Sequence, residues 1–520
     1  LWVDIYQKPL LWPFKTNEQA MASTQMVTAT AIVLALYAAL ILFFVIRGAL
    51  RTTSISDYAV GSIQFSPIVV GLSLAASITS AATFIINPGF IALYGFSGIL
   101  ALAIVLPIGL FFSLVILTKS FRKYGQSVKA LTMAQWIGTR YDSKGFALFF
   151  AFLSLLLLTF IVLICVGMTK VMSNALNVKE IYVLLGLVVF VFGYMMFGGA
   201  NSMVYTNTIQ AVLMLIVAFI LLGSGFEHFK GGVNGFIDKL AAIDPALVSL
   251  TNPGSPLFRD YFEIIFCNLI VGIAIVCQPH ILTKSLLLKK ESDVNRYLVT
   301  GIIVEMIFFA VVIAGLYARL SFPDLTTNGQ KINMDGIIPA YVVAEFPVYV
   351  GILVIMGLLS AGLSTLEGLI QSLSTTITND IIAPVGGIEK TSGKLVWINK
   401  VVIIALAVTA VLLTNHQLQH PNLSVGIFAQ NGVYAFFSAA FMPVLLGVFT
   451  KNTPRIAPIA AAITAVVVHF SVYYIGITPY MQGAVRNPAI AATLAILSSA
   501  VVGTALYFLL RKPETAPSQV

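Results

Sequence analysis

From residue 360 to residue 380 the chain reads Ser-Ala-Gly-Leu-Ser-Thr-Leu-Glu-Gly-Leu-Ile-Gln-Ser-Leu-Ser-Thr-Thr-Ile-Thr-Asn-Asp, directly after an apolar run at 348–359. At about 100° per residue, Ala361, Ser364, Thr365, Gly368, Ser372 and Thr375 fall on one helical face. A hydroxyl stripe in an apolar helix supplies oxygen ligands at close range, which a small dehydrated cation requires. The same residue types also join packed helices without binding anything. The length of this stripe, and Glu367 about 60° from Ser364, favour the ion reading.

Such a stripe needs a facing wall with free oxygens. Two segments interrupt apolar runs in a way that provides one. The first is Ala75-Ala-Ser-Ile-Thr-Ser-Ala-Ala-Thr83 followed by Asn87-Pro-Gly89; the second is Gly272-Ile-Ala-Ile-Val-Cys-Gln-Pro-His280. Proline removes a backbone donor and pushes the preceding residue out of the helical region, so broken helices with freed carbonyls are predicted. A plain kink is the simpler reading of Pro279. The second break aims the Gln278 amide inward as a solute contact, with His280 beside it. Thr83, Gln430 and Asn431 are further candidates, the last two interrupting the run at 425–433.

Carboxylates at membrane depth are functional hypotheses by default. Glu367 leaves three roles open: binding a proton, facing a polar group of the solute, or structural pairing. Glu305 lacks polar neighbours at helical spacing, which points to structural pairing or headgroup contact. No Lys or Arg reads as lying at depth, an argument against an anionic solute held by a basic side chain.

The elements that position these residues follow from composition. The 520 residues are 59% hydrophobic and 9% charged, a balance that excludes a soluble domain. Spanning runs fall at 26–47, 66–93, 97–119, 145–176, 181–198, 203–225, 263–289, 297–321, 347–381, 396–414, 423–449, 456–477 and 487–510, about thirteen helices. The expected class is therefore an all-α polytopic membrane protein. About two thirds of the 29 Lys and Arg residues, Arg47, Arg122, Lys284, Lys289, Lys451 and Arg511 among them, fall in one set of loops, which predicts an inner-membrane orientation with the N-terminus outside and the C-terminus cytoplasmic. The net charge of +9 is explained by that rule and calls for no nucleic-acid partner.

Residues 1–25 lack the order of a signal peptide, and Trp2, Trp12 and Phe14 suggest an interfacial, extracytoplasmic segment. A peripheral first helix at 26–47, repeat one at 66–225, repeat two at 263–449, two peripheral helices at 456–510 and a cytoplasmic tail at 511–520 complete the expected organisation. Each repeat holds five spans, so the second is inverted, and each opens on an interrupted helix. Interruptions at corresponding positions of inverted repeats point to a transporter site near the midplane. Cys165, Cys267 and Cys277 lie in apolar runs and form no disulfide or metal pattern. No Walker A sequence, HExxH or nucleophile elbow supports an ATP-driven pump or a hydrolase.

Three stretches resemble the sodium/solute symporters, which include sodium-coupled proline, sugar, sialate and pantothenate carriers. They are Gly71 to Gly89, similar to the family's first broken helix; Tyr194-Met-Met-Phe-Gly-Gly-Ala-Asn-Ser-Met-Val-Tyr-Thr-Asn-Thr-Ile-Gln210, similar to its Gly-Gly…Thr-Asp-x-x-Gln signature; and Ser364-Thr365 to Asp380, similar to its sodium-binding helix. The resemblance spans about residues 30–510 and implies the LeuT-like fold of five plus five inverted helices. It also implies a Na⁺ site made of the carbonyls of Ala76, Thr79 and Ala361 with the hydroxyls of Ser364 and Thr365. That agrees with the residues themselves, since an unwound segment frees carbonyls that two adjacent hydroxyls complete.

Asn207 stands where the signature commonly has Asp, part of a second cation site in some members. An amide lacks the charge, so one Na⁺ per cycle is expected. Phe322-Pro-Asp-Leu-Thr326 and Gln278-Pro-His280 are similar to the pantothenate branch, so pantothenate or another small organic acid is the expected solute, with sugars and amino acids open. The expected activity is Na⁺-coupled symport rather than an enzymatic reaction. The rivals are a channel and a sensor, and no sensor module follows Arg511. Na⁺, a small solute and membrane lipid are the expected partners; a monomer is compatible with the sequence.

Overall fold

A computed structural model of the chain describes residues 24–511 except 289, 328, 390–392 and 421–423. The segment expected at 1–25, save its last two residues, and the tail after Arg511 lie outside the described residues. Apart from one hairpin of two-residue strands, Thr326–Thr327 and Gln330–Lys331, the regular structure described is helical.

Ten helices among the described residues are long and apolar enough to cross a membrane, and twelve when each of two bent pairs is one span. The expectation of about thirteen differs in one element. Glu180–Gly223 is 44 residues long, about twice the helical length a bilayer needs. Within it Gly199 has φ 63° and ψ −161°, outside any helix, and the expected spans 181–198 and 203–225 lie on either side. A Cβ at Gly199 would come within 2.7 Å of Tyr58, so glycine lets the chain turn tightly against the short helix Ile55–Val60.

Both expected interruptions are present. Pro67–Ile78 and Ala82–Tyr94 meet at 55°, and Phe262–Ile275 and Pro279–Leu287 at 58°. The first limb starts on a Ser66 cap, whose hydroxyl accepts from Val69 N at 3.3 Å, with Pro67 at the first helical position. It stops at Thr79, which is extended (φ −77°, ψ 121°), and Ser80 Oγ caps the next limb by accepting from Ala82 N at 3.0 Å. In the second pair Gln278 is extended (φ −83°, ψ 138°), as a residue before proline should be, and Pro279 restarts the helix.

The hydroxyl-rich helix Val348–Thr376 is, with Val425–Phe449, among the most enclosed of the long elements and packs on Glu180–Gly223, on Pro67–Ile78 and on Pro279–Leu282. Thr24–Ala49 and Lys394–Gln419 instead expose Leu36, Phe43, Ile46, Val408 and Leu412, the apolar surface that lipid solvates. Two glycines dock the second bent pair. A Cβ at Gly109 would lie 2.6 Å from Leu269 O, and one at Gly272 2.3 Å from Leu106 O, so the backbones of Leu106–Ser127 and Asn268–Ile275 touch. Outside the bundle, a short helix runs over Gly232–Ile243.

Candidate functional site

Where the first broken helix stops, the carbonyls of its last turn have no helical partner ahead of them. The hydroxyl stripe faces them. Ser364 Oγ donates to Ala76 O at 2.6 Å, with Ala361 O at 3.2 Å. Thr365 Oγ1 donates to Thr79 O at 2.9 Å and has Ser77 O and Ala361 O each at 3.4 Å. All five residues of the expected ion shell thus converge, and Ser77 adds a carbonyl. Ala76, Thr79, Ala361, Ser364 and Thr365 are fully buried. The donor set is oxygen throughout, as a hard cation prefers. Oxygens about 2.3–2.6 Å from such an ion lie about 3.3–3.7 Å apart in octahedral geometry, so an ion bound here would have to part the shorter hydroxyl–carbonyl pairs.

Glu305 lies next to this shell. Both its oxygens accept from Thr79 Oγ1, at 2.9 and 2.8 Å, and the side chain is fully buried. Thr79 therefore gives its hydroxyl to Glu305 and its carbonyl to the shell. The expectation of a headgroup contact for Glu305 is corrected by this placement; it is paired, within the core.

A second polar cluster borders the first through Ser77. Lys284, 3% exposed, donates to Ser73 O at 3.0 Å and to Ser77 Oγ. An ammonium has only donors, so the Asn207 amide presents its oxygen to Lys284, at 2.9 Å, and its nitrogen to Glu367 Oε2 at 3.1 Å. Glu367 also accepts from Tyr194 OH and Thr206 Oγ1, each at 2.6 Å, and from Gln210 Nε2 at 3.0 Å. The reading that no basic residue lies at depth is corrected here: Lys284, assigned to a cytoplasmic loop with Lys289, sits inside the bundle on the second limb of a broken helix.

A cavity of about 100 Å³ opens between the two broken helices. Thr83, Gln278, His280 and Gln430 all line it, together with Ser80, Asn87 and Tyr434. Gln278 Oε1 and His280 Nδ1 are buried and have no hydrogen-bond partner among the described residues. No Lys or Arg is among the residues lining it. A smaller cavity of about 20 Å³ touches Lys284, His280, Ser372 and Thr375, at the far end of the hydroxyl stripe.

Two candidates lie apart from the larger cavity. Glu367 is held in the cluster above. Asn431 donates to Tyr474 OH at 3.1 Å, and its Oδ1 lies 3.0 Å from His469 Nε2, on the side facing Ile456–Ile475. Sequence reasoning missed Lys284, Ser77, Tyr194, Thr206 and Gln210. The last two had a signal: with Asn207 they share one face at i, i+1 and i+4.

Residues 58–464 match the sodium:solute symporter family. The sodium/pantothenate symporter of Haemophilus influenzae is 27% identical over 76% of this chain and 79% of its own. That of Escherichia coli K12 is 26% identical over 82% and 87%. A structure of a Na⁺-coupled sialic acid symporter, substrate-bound and outward-open, superposes with a TM-score of 0.74 over 92% of this chain and 97% of that one, at 18% identity. The all-α, LeuT-like fold expected from the sequence is thus found, in a carrier rather than an enzyme. A match covering most of the chain, together with the bent helices and the membrane-spanning bundle, establishes that the chain belongs to the sodium:solute symporter family.

Proposed function

We propose that the protein is a Na⁺-coupled symporter of the cell membrane that carries one Na⁺ and one small polar organic solute per cycle. The observation that carries this reading is the meeting of the Ser364 and Thr365 hydroxyls with the carbonyls of Ala76, Ser77, Thr79 and Ala361. Na⁺ ties the end of the first broken helix to Val348–Thr376 and so favours the conformation in which the neighbouring cavity is formed. Solute then binds beside Ser80, Thr83, Gln278, His280 and Gln430. Closure and rocking of the bundle release both on the other side, which positive-inside topology makes the cytoplasm.

Pantothenate, or a related hydroxylated amide acid, is the favoured solute. The two sodium/pantothenate symporters support it, as does a cavity of hydroxyls, amides and one imidazole set among aliphatic side chains. With no basic residue in that lining, a carboxylate on the solute depends on the nearby Na⁺ and on helix dipoles.

The test is uptake of radiolabelled solutes into proteoliposomes with and without an inward Na⁺ gradient. Pantothenate is expected to accumulate only with the gradient, with a Na⁺ Hill coefficient near one. Ser364→Ala combined with Thr365→Ala should abolish Na⁺ stimulation. Unchanged Na⁺ dependence in that variant, or a Hill coefficient near two in the parent, overturns the reading. Stimulation by a sugar or an amino acid alone would move the solute assignment and leave the ion site standing.

A further inference from the structure

We propose that Lys284 is a resident cation. Its ammonium fills, from within the chain, a place beside the ion shell where a second dissolved cation would otherwise balance Glu367. The inference rests on the assignment of Na⁺ to the Ser364/Thr365 shell and goes beyond it.

The partners of Lys284 are those of a metal cation. Ser73 O, Ser77 Oγ and the Asn207 amide oxygen surround its nitrogen, and among the described residues no carboxylate forms an ion pair with it. The counter-charge is Glu367, one amide away. Every partner of that carboxylate is a donor: Tyr194 OH, Thr206 Oγ1, Gln210 Nε2 and the Asn207 nitrogen. Asn207 is therefore an oriented relay, oxygen to the cation and nitrogen to the anion. An Asp in its place would turn one oxygen toward Lys284 but set the other against Glu367 and Gln210 Oε1, which the Asn207 nitrogen now faces at 3.1 and 3.0 Å. The amide at this position and the lysine on the facing limb thus explain each other.

The resident cation also adjoins the exchangeable one. Ser77 gives its side chain to Lys284 and its carbonyl to the shell contacted by Thr365. The ammonium holds the first limb, Pro67–Ile78, against the second limb of the other broken helix whether or not Na⁺ is bound. The small cavity is lined in part by Lys284 itself, so removing that side chain would open it toward the oxygens the ammonium held.

The experiment counts Na⁺ bound at saturation by the purified full-length protein, using radioactive Na⁺. One per chain is expected for the parent and for Lys284→Arg, and two for Lys284→Ala, because the oxygens and the unbalanced Glu367 remain. A folded Lys284→Ala protein that still binds one overturns the proposal. If Lys284→Ala does not fold, Lys284→Met combined with Glu367→Gln removes both charges together. That pair is expected to fold and bind one Na⁺. Its failure to fold would show that Lys284 is only a structural cross-link and would also overturn the proposal. A parent that binds no Na⁺ is a different failure, of the ion assignment itself, and takes this inference with it.

Discussion

Glu305→Gln isolates the contribution of charge to ion binding. The carboxylate touches Thr79 Oγ1 at 2.8 and 2.9 Å, and Thr79 O belongs to the shell, so a bound ion lies about 6 Å from the carboxylate when it sits about 2.4 Å from that carbonyl. At an effective dielectric constant of about 20, opposite unit charges at that distance attract by about 2–3 kcal/mol. Gln preserves volume and one acceptor for Thr79, so the break stays anchored and the charge alone is lost. The Na⁺ concentration for half-maximal uptake should rise about 30- to 100-fold, since about 1.4 kcal/mol is tenfold. The Hill coefficient should not change.

The assay is initial uptake in proteoliposomes across a Na⁺ series, with choline replacing Na⁺ to hold ionic strength. Direct titration of Na⁺ against the thermal midpoint of the purified protein gives the same constant without transport. A shift below about threefold would refute the reasoning, because it would mean the carboxylate does not feel the ion. Glu305→Asp keeps the charge but draws it back by one methylene, and should fall between the parent and Gln.

The other predictions concern the scaffold and the cavity. Gly272→Leu drives a side chain into Leu106 O and should lower the thermal midpoint by several degrees or prevent folding, whereas Gly186→Ala, with nothing within 4 Å of its Cβ position, should leave it unchanged or slightly raised. Gln278→Leu removes an amide that lines the cavity and should raise the solute KM about tenfold while leaving Na⁺ stoichiometry at one.

Asp57 closes a capping box, accepting from the backbone and hydroxyls of Thr53 and Ser54. Burial pushes its carboxyl up, but the hydrogen bonds from Ser54 and Thr53 together outweigh that and hold it below the usual carboxylate range. A lowered value means the cap is fully stabilising above about pH 4 and is lost as pH falls through the folded value. Asp57→Asn should therefore cost about 1 kcal/mol near neutrality, and the difference from the parent should vanish in acid thermal scans.

Much of this architecture is local in origin and hence legible in sequence. Pro279 and the polar run before Asn87-Pro88 act on their own backbone, so both breaks could be read in place. The hydroxyls of Ser364 and Thr365 follow from helical period. Neighbours in sequence were a poorer guide. Gln430 and Asn431 differ by about 100° around their helix, so one lines the cavity while the other faces His469. Glu367, on the flank of the stripe, turns to Glu180–Gly223 for the same reason.

Other features depend on tertiary meeting. Glu305 and Thr79 are 226 residues apart, and nothing in either segment announces the other. Lys284 reads as a loop residue in the sequence because Lys289 and Lys290 follow it so closely. Its distinguishing mark is the helix restart at Pro279, which leaves it four residues past His280 and still within the bundle.

The charges of the core lead to the stoichiometry. Around the ion shell lie two buried carboxylates, Glu305 and Glu367, and one buried ammonium, Lys284. Lys284 and Glu367 balance through Asn207, which as an amide adds nothing to the sum. Glu305 remains, and the single Na⁺ proposed above would neutralise it. A second monovalent ion would leave an uncompensated positive charge in a low-dielectric interior, several kcal/mol less favourable. Without an ion, the Ser364 and Thr365 hydroxyls occupy the shell carbonyls, and Thr79 Oγ1 is what Glu305 accepts from. The side chains thus favour a single exchangeable cation, and Pro67–Ile78, whose end carries the proposed ion shell, runs into the lining of the larger cavity at Ile78 and Ser80. The proposed ion and solute would therefore act on the same bend of the chain. Any stabilisation that one gives that bend must strengthen binding of the other by an equal factor.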